Sequence, residues 1–254
     1  MTKATDQMIA RIAWLEWDEK VAVFESLFGY MGEEFIFDYL LRSSRPSPES
    51  RYCIRGCYRH REKARYFDDT QLTDEYQKEV YEAVADIMRS EGLHAVYDVG
   101  CGSGYKLLRY LGNFDTVGFD VEPTLSFLKS KYPEREWKAV SFDDRTLPAV
   151  DIIVCADVVE HVENPDALLA FLDRIVGRFL VISTPDRDLM YNSGDNGHCG
   201  PPRNPCHLRE WSFSEFEQYI GSYFDIIEHR ISNRQQGTQL IVCRGRITRT
   251  ERHQ

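Results

Sequence analysis

"VYDVGCGSGYKLL", residues 96–108, places three glycines at every second position behind an aspartate that closes an apolar run. A glycine-rich turn between a strand and a helix lets a ligand approach bare backbone. It also lies where open α/β sheets bind their ligands, outside the carboxyl end of the first strand. The dinucleotide fingerprint is G-x-G-x-x-G, whose third glycine lets helix and strand pack closely. Here Gly100, Gly102 and Gly104 form G-x-G-x-G instead. Asp98, just ahead of the turn, would face a pyrophosphate badly but suits an ammonium or sulfonium group. Both observations weigh against a dinucleotide oxidoreductase.

Strand-like and helical runs alternate around this loop. "AVYDV" (95–99), "TVGF" (116–119), "WKAVSF" (137–142), "DIIVCA" (151–156) and "RFLVIS" (178–183) read as strands, with helices near 104–111, 123–131 and 165–176. That alternation predicts parallel strands with crossover helices, a doubly wound α/β sheet. "FDIIEH" (224–229) and "TQLIVCR" (238–244) are joined only by "RISNRQQG", too short for a crossover, so an antiparallel pair is expected. Ahead of the sheet a helix is expected from Thr73, with Asp74 and Glu75 in its first turn and Gly92 as its stop. Ser212 and Glu215 match a capping box that opens another helix.

A chain of 254 residues is long for one simple domain, so a domain with an appendage is expected. No apolar stretch approaches the roughly 20 residues that span a bilayer, and the N-terminus is too acidic for a signal or transit peptide. Seven scattered cysteines suit a reducing compartment, which predicts a cytoplasmic protein with no membrane partner. The net charge of −10 weighs against nucleic acid and favours a small-molecule partner. A homodimer is left open.

The charge is unevenly spread. Residues 1–41 carry eight acids against three bases, interleaved with apolar residues, and read as acidic, partly amphipathic helix. "RSSRPSPES" (42–50) breaks that pattern. The expected division is a helical N-terminal extension or lid over 1–69 and a ligand-binding domain over 70–254. Residues 42–65 are basic, with Arg42, Arg45, Arg51, Arg55, Arg59, Arg61, Lys63 and Arg65 against Glu49 and Glu62. This belt either pairs with the acidic helices or folds over the cleft to recognise a phosphate or carboxylate, assisted by Arg203 or Arg209.

"DVGCGSG" resembles the first motif of class I S-adenosylmethionine-dependent methyltransferases, and the later strand ends fall in register with that family over about residues 70–244. The resemblance implies a Rossmann-like, seven-stranded sheet, mostly parallel with one antiparallel strand, and S-adenosylmethionine as cofactor. Asp98, Gly100, Cys101, Gly102 and Gly104 then belong to the cofactor loop, with Cys101 offering backbone and no nucleophile. Asp120, followed by Val121, matches the acid that grips both ribose hydroxyls. Asp143 matches the acceptor of the adenine amino group, with Phe142 beside the ring, and Ala156 and Asp157 end the fourth strand at the cofactor. Tyr66, Tyr76 and Gln77 are positioned to close over it, although packing within a helix explains them equally. "DIIVCADVVEHVENP" (151–165) is similar to the fourth-strand motif of a subgroup that includes ubiquinone-pathway O-methyltransferases and many sugar and natural-product methyltransferases.

Methyl transfer from a sulfonium is an in-line displacement, in which a hydroxyl acceptor also needs a base. His161, just past the fourth strand, is the first candidate, and its presence favours methylation at oxygen. The structural alternative is that Glu160 and His161 fix the loop ahead of "NPDALL". His207, in "NPCHLREWSFSEF", is the second candidate, on a loop from Asp186 to Trp211 long enough to wall a substrate site. Some ubiquinone-pathway relatives bind a divalent ion at this motif, which would involve Asp157, Glu160 and His161. Zinc would need Cys53, Cys57 and His60 with His198, Cys199, Cys206 or His207, at spacings that match no standard finger. Neither departure from the known patterns supports a metal, and none is expected. Nitrogen or carbon methylation, an RNA or protein acceptor, and a non-catalytic S-adenosylmethionine-binding module are the remaining alternatives. The N-P-P-Y type of motif that serves base-amino methylation is absent after the fourth strand.

Overall fold

The computed structural model describes residues 51–56, 58–70, 75–191 and 199–245. The acidic helices expected over 1–41, the break at 42–50 and the Thr73 cap lie outside the described residues.

Seven strands form one sheet: β1 (Ala95–Val99), β2 (Asp115–Asp120), β3 (Glu136–Ala139), β4 (Val150–Ala156), β5 (Val176–Pro185), β6 (Asp225–Asn233) and β7 (Thr238–Arg244). Their order is β3-β2-β1-β4-β5-β7-β6. The first five strands are parallel to one another, and β7 runs antiparallel to both β5 and β6. β1 lies between β2 and β4, with Asp98 opposite Gly118 on one side and Val154 on the other. Chain order reverses at β1 and β4, so a crevice opens at their carboxyl ends.

Parallel central strands are covered on both faces and need apolar residues on both, which explains the unbroken runs at β1 and β4. Val96 and Ile152 pack with Val80, Val84 and Met88 of α1 (Lys78–Glu91), together with Leu107 of α2 (Tyr105–Leu111) and Leu128 of α3 (Thr124–Lys131). On the other face Tyr97, Ile153 and Cys155 meet Leu168 and Leu172 of α4 (Pro165–Ile175) and Phe216 of a later helix. A four-residue helix, α5 (Arg187–Met190), follows β5, and that later helix is α6 (Phe213–Gly221). None of the described helices is long and apolar enough to cross a membrane.

Local chemistry sets most boundaries. Asn164 caps α4, accepting from Ala167 N at 3.3 Å, with Pro165 in the first turn. Both halves of the capping box form on α6, Glu215 N to Ser212 Oγ at 3.4 Å and Ser212 N to Glu215 Oε2 at 2.9 Å. Helix α1 ends at Gly92, in the left-handed region as expected, but starts at Lys78. Gln77 stands ahead of it at φ 63°, its N–H donating to Gln236 Oε1 at 3.1 Å and its side chain bonded to Asp157. Those tertiary contacts outweigh the local preference for an earlier start. β3 stops at Ala139, short of the expected Phe142, and the chain turns at Ser141, whose carbonyl accepts from Asp144 N at 3.1 Å.

The segment before the sheet domain is a strap laid along the loop after α5. Arg59 N donates to Cys199 O, Arg61 N to Leu208 O and Arg65 N to Pro205 O, at 2.7 to 2.9 Å. Tyr52, Ile54 and Tyr58 are buried in the α4–α6 core. Arg55 Nε lies 3.0 Å from Glu215 Oε1, and the fully buried Arg187 guanidinium lies 2.7 Å from Glu215 Oε2. Arg209 donates to the carbonyls of Val162 and Glu163, and Arg203 lies over the Tyr191 ring. Three of the arginines considered for acceptor recognition, Arg55, Arg203 and Arg209, are therefore engaged by groups of the protein itself.

Candidate active site

A cleft of about 490 Å³ opens at the carboxyl ends of β1, β2 and β4, with the strap from Arg65 to Asp69 along one wall. Gly100, Gly102 and Gly104 all have positive φ, at 82°, 53° and 71°. This path turns the N–H groups of Gly100 and Cys101 onto Phe119 O, at 2.8 and 3.1 Å, tying the loop to β2. A Cβ on Gly102 would run into Asp69 Oδ2, and one on Gly100 into Val158. Gly104 does not line the cleft; a Cβ there would lie 2.9 Å from Trp137 and Leu128, so this glycine serves close packing.

Asp120 ends β2 with its carboxylate aimed by two backbone donors, Gly102 N to Oδ2 and Val121 N to Oδ1, both at 2.8 Å. Each oxygen keeps a second lone pair for a ligand hydroxyl. Burial raises the Asp120 pKa against those two N–H groups. Asp98 is fully buried beneath the loop, where Tyr81 Oη donates to Oδ2 at 3.0 Å and Oδ1 has no partner. Burial pushes it up to about 7, opposed by Tyr81 and Lys106. Asp69 is pushed up to about 6, by burial first and then by Asp120. Three carboxylates thus crowd one end of the cleft, an environment that favours a positively charged ligand.

Burial, then Asp98, pushes the Cys101 thiol well up, which makes it a poor nucleophile. Val121, Val140 and Phe142 supply an apolar wall beyond Asp120. Asp143 is exposed and outside that lining, and Asp144 is occupied by Thr146. Ala156 and Asp157 line the cleft at the end of β4, with Ser183 Oγ donating to Asp157 Oδ1 at 2.6 Å. Burial raises the Asp157 pKa despite this bond and one from Gln77.

His161 and His207 meet at the far end, ring centroids 4.8 Å apart and edge to face. His161 Nδ1 lies 2.8 Å from Cys206 O, and Phe67 stacks on the ring at 5.9 Å. A carbonyl can only accept, so Nδ1 carries the hydrogen and Nε2 keeps its lone pair. Burial, reinforced by His207, pushes the His161 pKa down to about 4, so the ring is neutral at neutral pH. His207 has both nitrogens engaged, Nδ1 with Glu210 Oε1 at 2.7 Å and Nε2 with Asn204 Nδ2 at 2.9 Å. Of the two histidines, only His161 has a free basic nitrogen.

Glu160 is fully buried, and neither carboxylate oxygen meets a partner in hydrogen-bonding geometry. Burial, then Asp157, raises its pKa well above the ordinary range. Glu160, His161 and His207 each offer one ligand atom, all within 4.8 Å of one another, and could together hold a divalent cation. Asp157 does not belong to this group. Cys57 and His198 of the zinc set lie outside the described residues, and among the described residues no cysteine joins a convergent group of ligands. Sequence reasoning missed Phe67, Asp69, Lys106 and Met190, which line the cleft together with Arg65 of the basic belt. The run "RYFDD" (65–69), an aromatic pair followed by paired acids, was the available clue.

The family model described as "Methyltransferase domain" matches residues 58–233, including most of the strap. Comparison with the curated proteins returned no match. Among solved structures the chain is similar to magnesium protoporphyrin IX methyltransferase from Synechocystis PCC 6803 with bound SAH, at 17% identity and TM-score 0.53, covering 67% of this chain and 84% of that one. It is also similar to a SAM-dependent methyltransferase from Aquifex aeolicus, at 18% identity and TM-score 0.51, covering 70% and 99%. The [4+2]-cyclase SpnF aligns at 13% identity and TM-score 0.56, covering 74% and 87%. At these identities the likeness speaks for the fold alone, and the cyclase illustrates that one fold can host different chemistry.

Proposed function

The chain belongs to the class I S-adenosylmethionine-dependent methyltransferases, and from that premise we propose that it transfers the methyl group to an oxygen of a small-molecule acceptor. The observation that carries this reading is His161, a neutral imidazole with its Nδ1 hydrogen committed to Cys206 and its Nε2 lone pair unclaimed. The acceptor oxygen attacks the methyl carbon in line with the C–S bond. That bond breaks, its electron pair stays on sulfur to give S-adenosylhomocysteine, and the acceptor proton passes to His161 Nε2. Glu210, electrostatically coupled to His161, favours the imidazolium that results.

Tyr66, Phe67, Tyr76 and Met190 are exposed side chains on the cleft wall, and they suit an apolar or planar portion of the acceptor. Arg65 also lines the cleft, and an anionic group on the acceptor is proposed to meet it there. Cys53, Cys101, Cys155 and Cys206 are free thiols, which supports the proposed cytoplasmic location. Small hydroxy compounds with and without a carboxylate or phosphate, assayed with labelled methyl donor, test this reading. Label on hydroxylated anions supports it, whereas label only on amines or on RNA contradicts it.

Glu160 favours a second reading. A fully buried carboxylate whose oxygen lies within 4.8 Å of ligand atoms of His161 and His207 fits a divalent cation. Cys206 O and Glu210 would then orient the two imidazoles as outer-sphere acceptors. Such an ion would supply Lewis-acid polarisation of the acceptor hydroxyl. One equivalent of tightly held metal, lost together with activity in Glu160→Gln, supports this second reading. Full turnover in metal-free protein rules it out.

A further inference from the structure

We propose that Asp69 binds the α-ammonium group of the cofactor's methionine moiety, closing the strap over that end of the cleft. The assignment rests on the S-adenosylmethionine reading of this site. Asp69 lines the cleft with Gly102, Lys106 and Asp120, its Oδ2 lying over the bare Cα of Gly102. Asp120 is already oriented by Gly102 N and Val121 N toward a ligand's hydroxyls. Asp69 has no such fixed alignment to backbone donors of the loop.

Its position is set from both sides. Tyr66 Oη meets Thr124 Oγ1 at 2.5 Å on α3, and Asp68 Oδ1 draws in Thr70 N and Oγ1 at 3.1 and 2.7 Å. The adjacent aspartates thereby divide the work, Asp68 capping a turn at the surface and Asp69 facing inward. Beneath the loop, Asp98 Oδ1 is fully buried with no partner. Asp69, Asp98 and Asp120 repel one another, and Lys106 partly offsets Asp69 and Asp98. Burying anionic oxygens without cations is costly. The cofactor brings two positive groups, of which the sulfonium must face the acceptor end at His161. The ammonium is left to the carboxylate end, where Asp69 stands over Gly102.

The test compares two ligands, S-adenosylhomocysteine and 5′-methylthioadenosine, which keeps adenine and ribose but lacks the amino-acid moiety. Titration calorimetry is run on the wild type, Asp69→Asn and Asp120→Asn, with thermal melting as a check of folding. The expected result is that Asp69→Asn weakens S-adenosylhomocysteine by about 10- to 100-fold and leaves methylthioadenosine within about twofold. Asp120→Asn should weaken both. Equal losses for both ligands in Asp69→Asn would assign Asp69 to the ribose or to folding, and tighter S-adenosylhomocysteine would make it a competitor for the site; either overturns the proposal. Failure of the wild type to bind either ligand would instead overturn the cofactor reading beneath it.

Discussion

His161 Nδ1 lies 2.8 Å from the carbonyl oxygen of Cys206, and this contact fixes which ring nitrogen can act as a base. Cys206 belongs to the loop held by the strap, so the orientation of the ring depends on strap and loop staying paired. His161→Ala is expected to lower kcat by roughly 10²–10⁴ while cofactor affinity stays nearly unchanged. Steady-state kinetics with calorimetry separates the two effects. Undiminished turnover would remove His161 from the chemistry, and His207, with both nitrogens engaged, would be a poor replacement.

Glu215 joins the strap to the domain. Its Oε1 accepts from Arg55 N and Nε, both at 3.0 Å, and Oε2 lies 2.7 Å from Arg187. Burial pushes its pKa up, but Arg187 and Arg55 outweigh burial and hold it below the ordinary value. The sign follows from linkage: this stabilisation is present above the unfolded pKa of about 4.3 and is lost as pH falls through the lowered folded value. Glu215→Gln leaves two buried arginines short of a counter-charge and should cost about 3–5 kcal/mol. Urea unfolding at neutral pH measures this, and a loss under about 1 kcal/mol would mean the network is not what fastens the strap.

Asp98 and Asp69 have pKa values raised to about 7 and about 6 in the ligand-free protein. A raised carboxyl favours the ligand-free fold on the acid side, and that contribution is lost as pH rises through the folded pKa. A cationic ligand binds the ionised forms, so its binding should release protons near neutral pH. Affinity for S-adenosylhomocysteine should therefore fall as pH is lowered from about 8 to about 5. Calorimetry in buffers of different ionisation enthalpy reads both effects, and a flat affinity without proton release would exclude the two carboxylates from binding.

Gly102→Val should abolish cofactor binding with a smaller effect on folding. The position has φ 53°, and a Cβ there strikes Asp69 as well as any ligand lying over the loop. Fluorescence titration checks binding and circular dichroism checks the fold; native affinity in the mutant would place the ligand elsewhere.

The sheet was legible because its central strands are buried on both faces and read as unbroken apolar runs, while the glycine loop marked the crevice. Where the local pattern is strong, the sequence pointed to residues that share one cleft: Gly100 and Gly102 of the loop, Asp120 at the end of β2 and His161 after β4. Less of it was legible where a residue's role depends on a distant partner. Arg55 could serve an anion or a carboxylate until Glu215, 160 positions away, is seen beside it. His161 and His207 are equivalent as letters, and only their hydrogen bonds separate a free base from an engaged ring. Asp68 and Asp69 are likewise distinguished by Thr70, which claims the first and leaves the second to the cleft. Gln77 overrode the start expected for α1 for the same reason.

Methyl transfer to oxygen is tested most directly by following a ¹³C-labelled methyl group from S-adenosylmethionine into its acceptor by NMR, with fractionated hydroxylated metabolites offered to the purified protein. The account predicts a methoxy carbon resonance, formed in equal amount with S-adenosylhomocysteine and suppressed in His161→Ala. Label appearing on nitrogen or carbon, or an acceptor methylated equally well by His161→Ala, would contradict it.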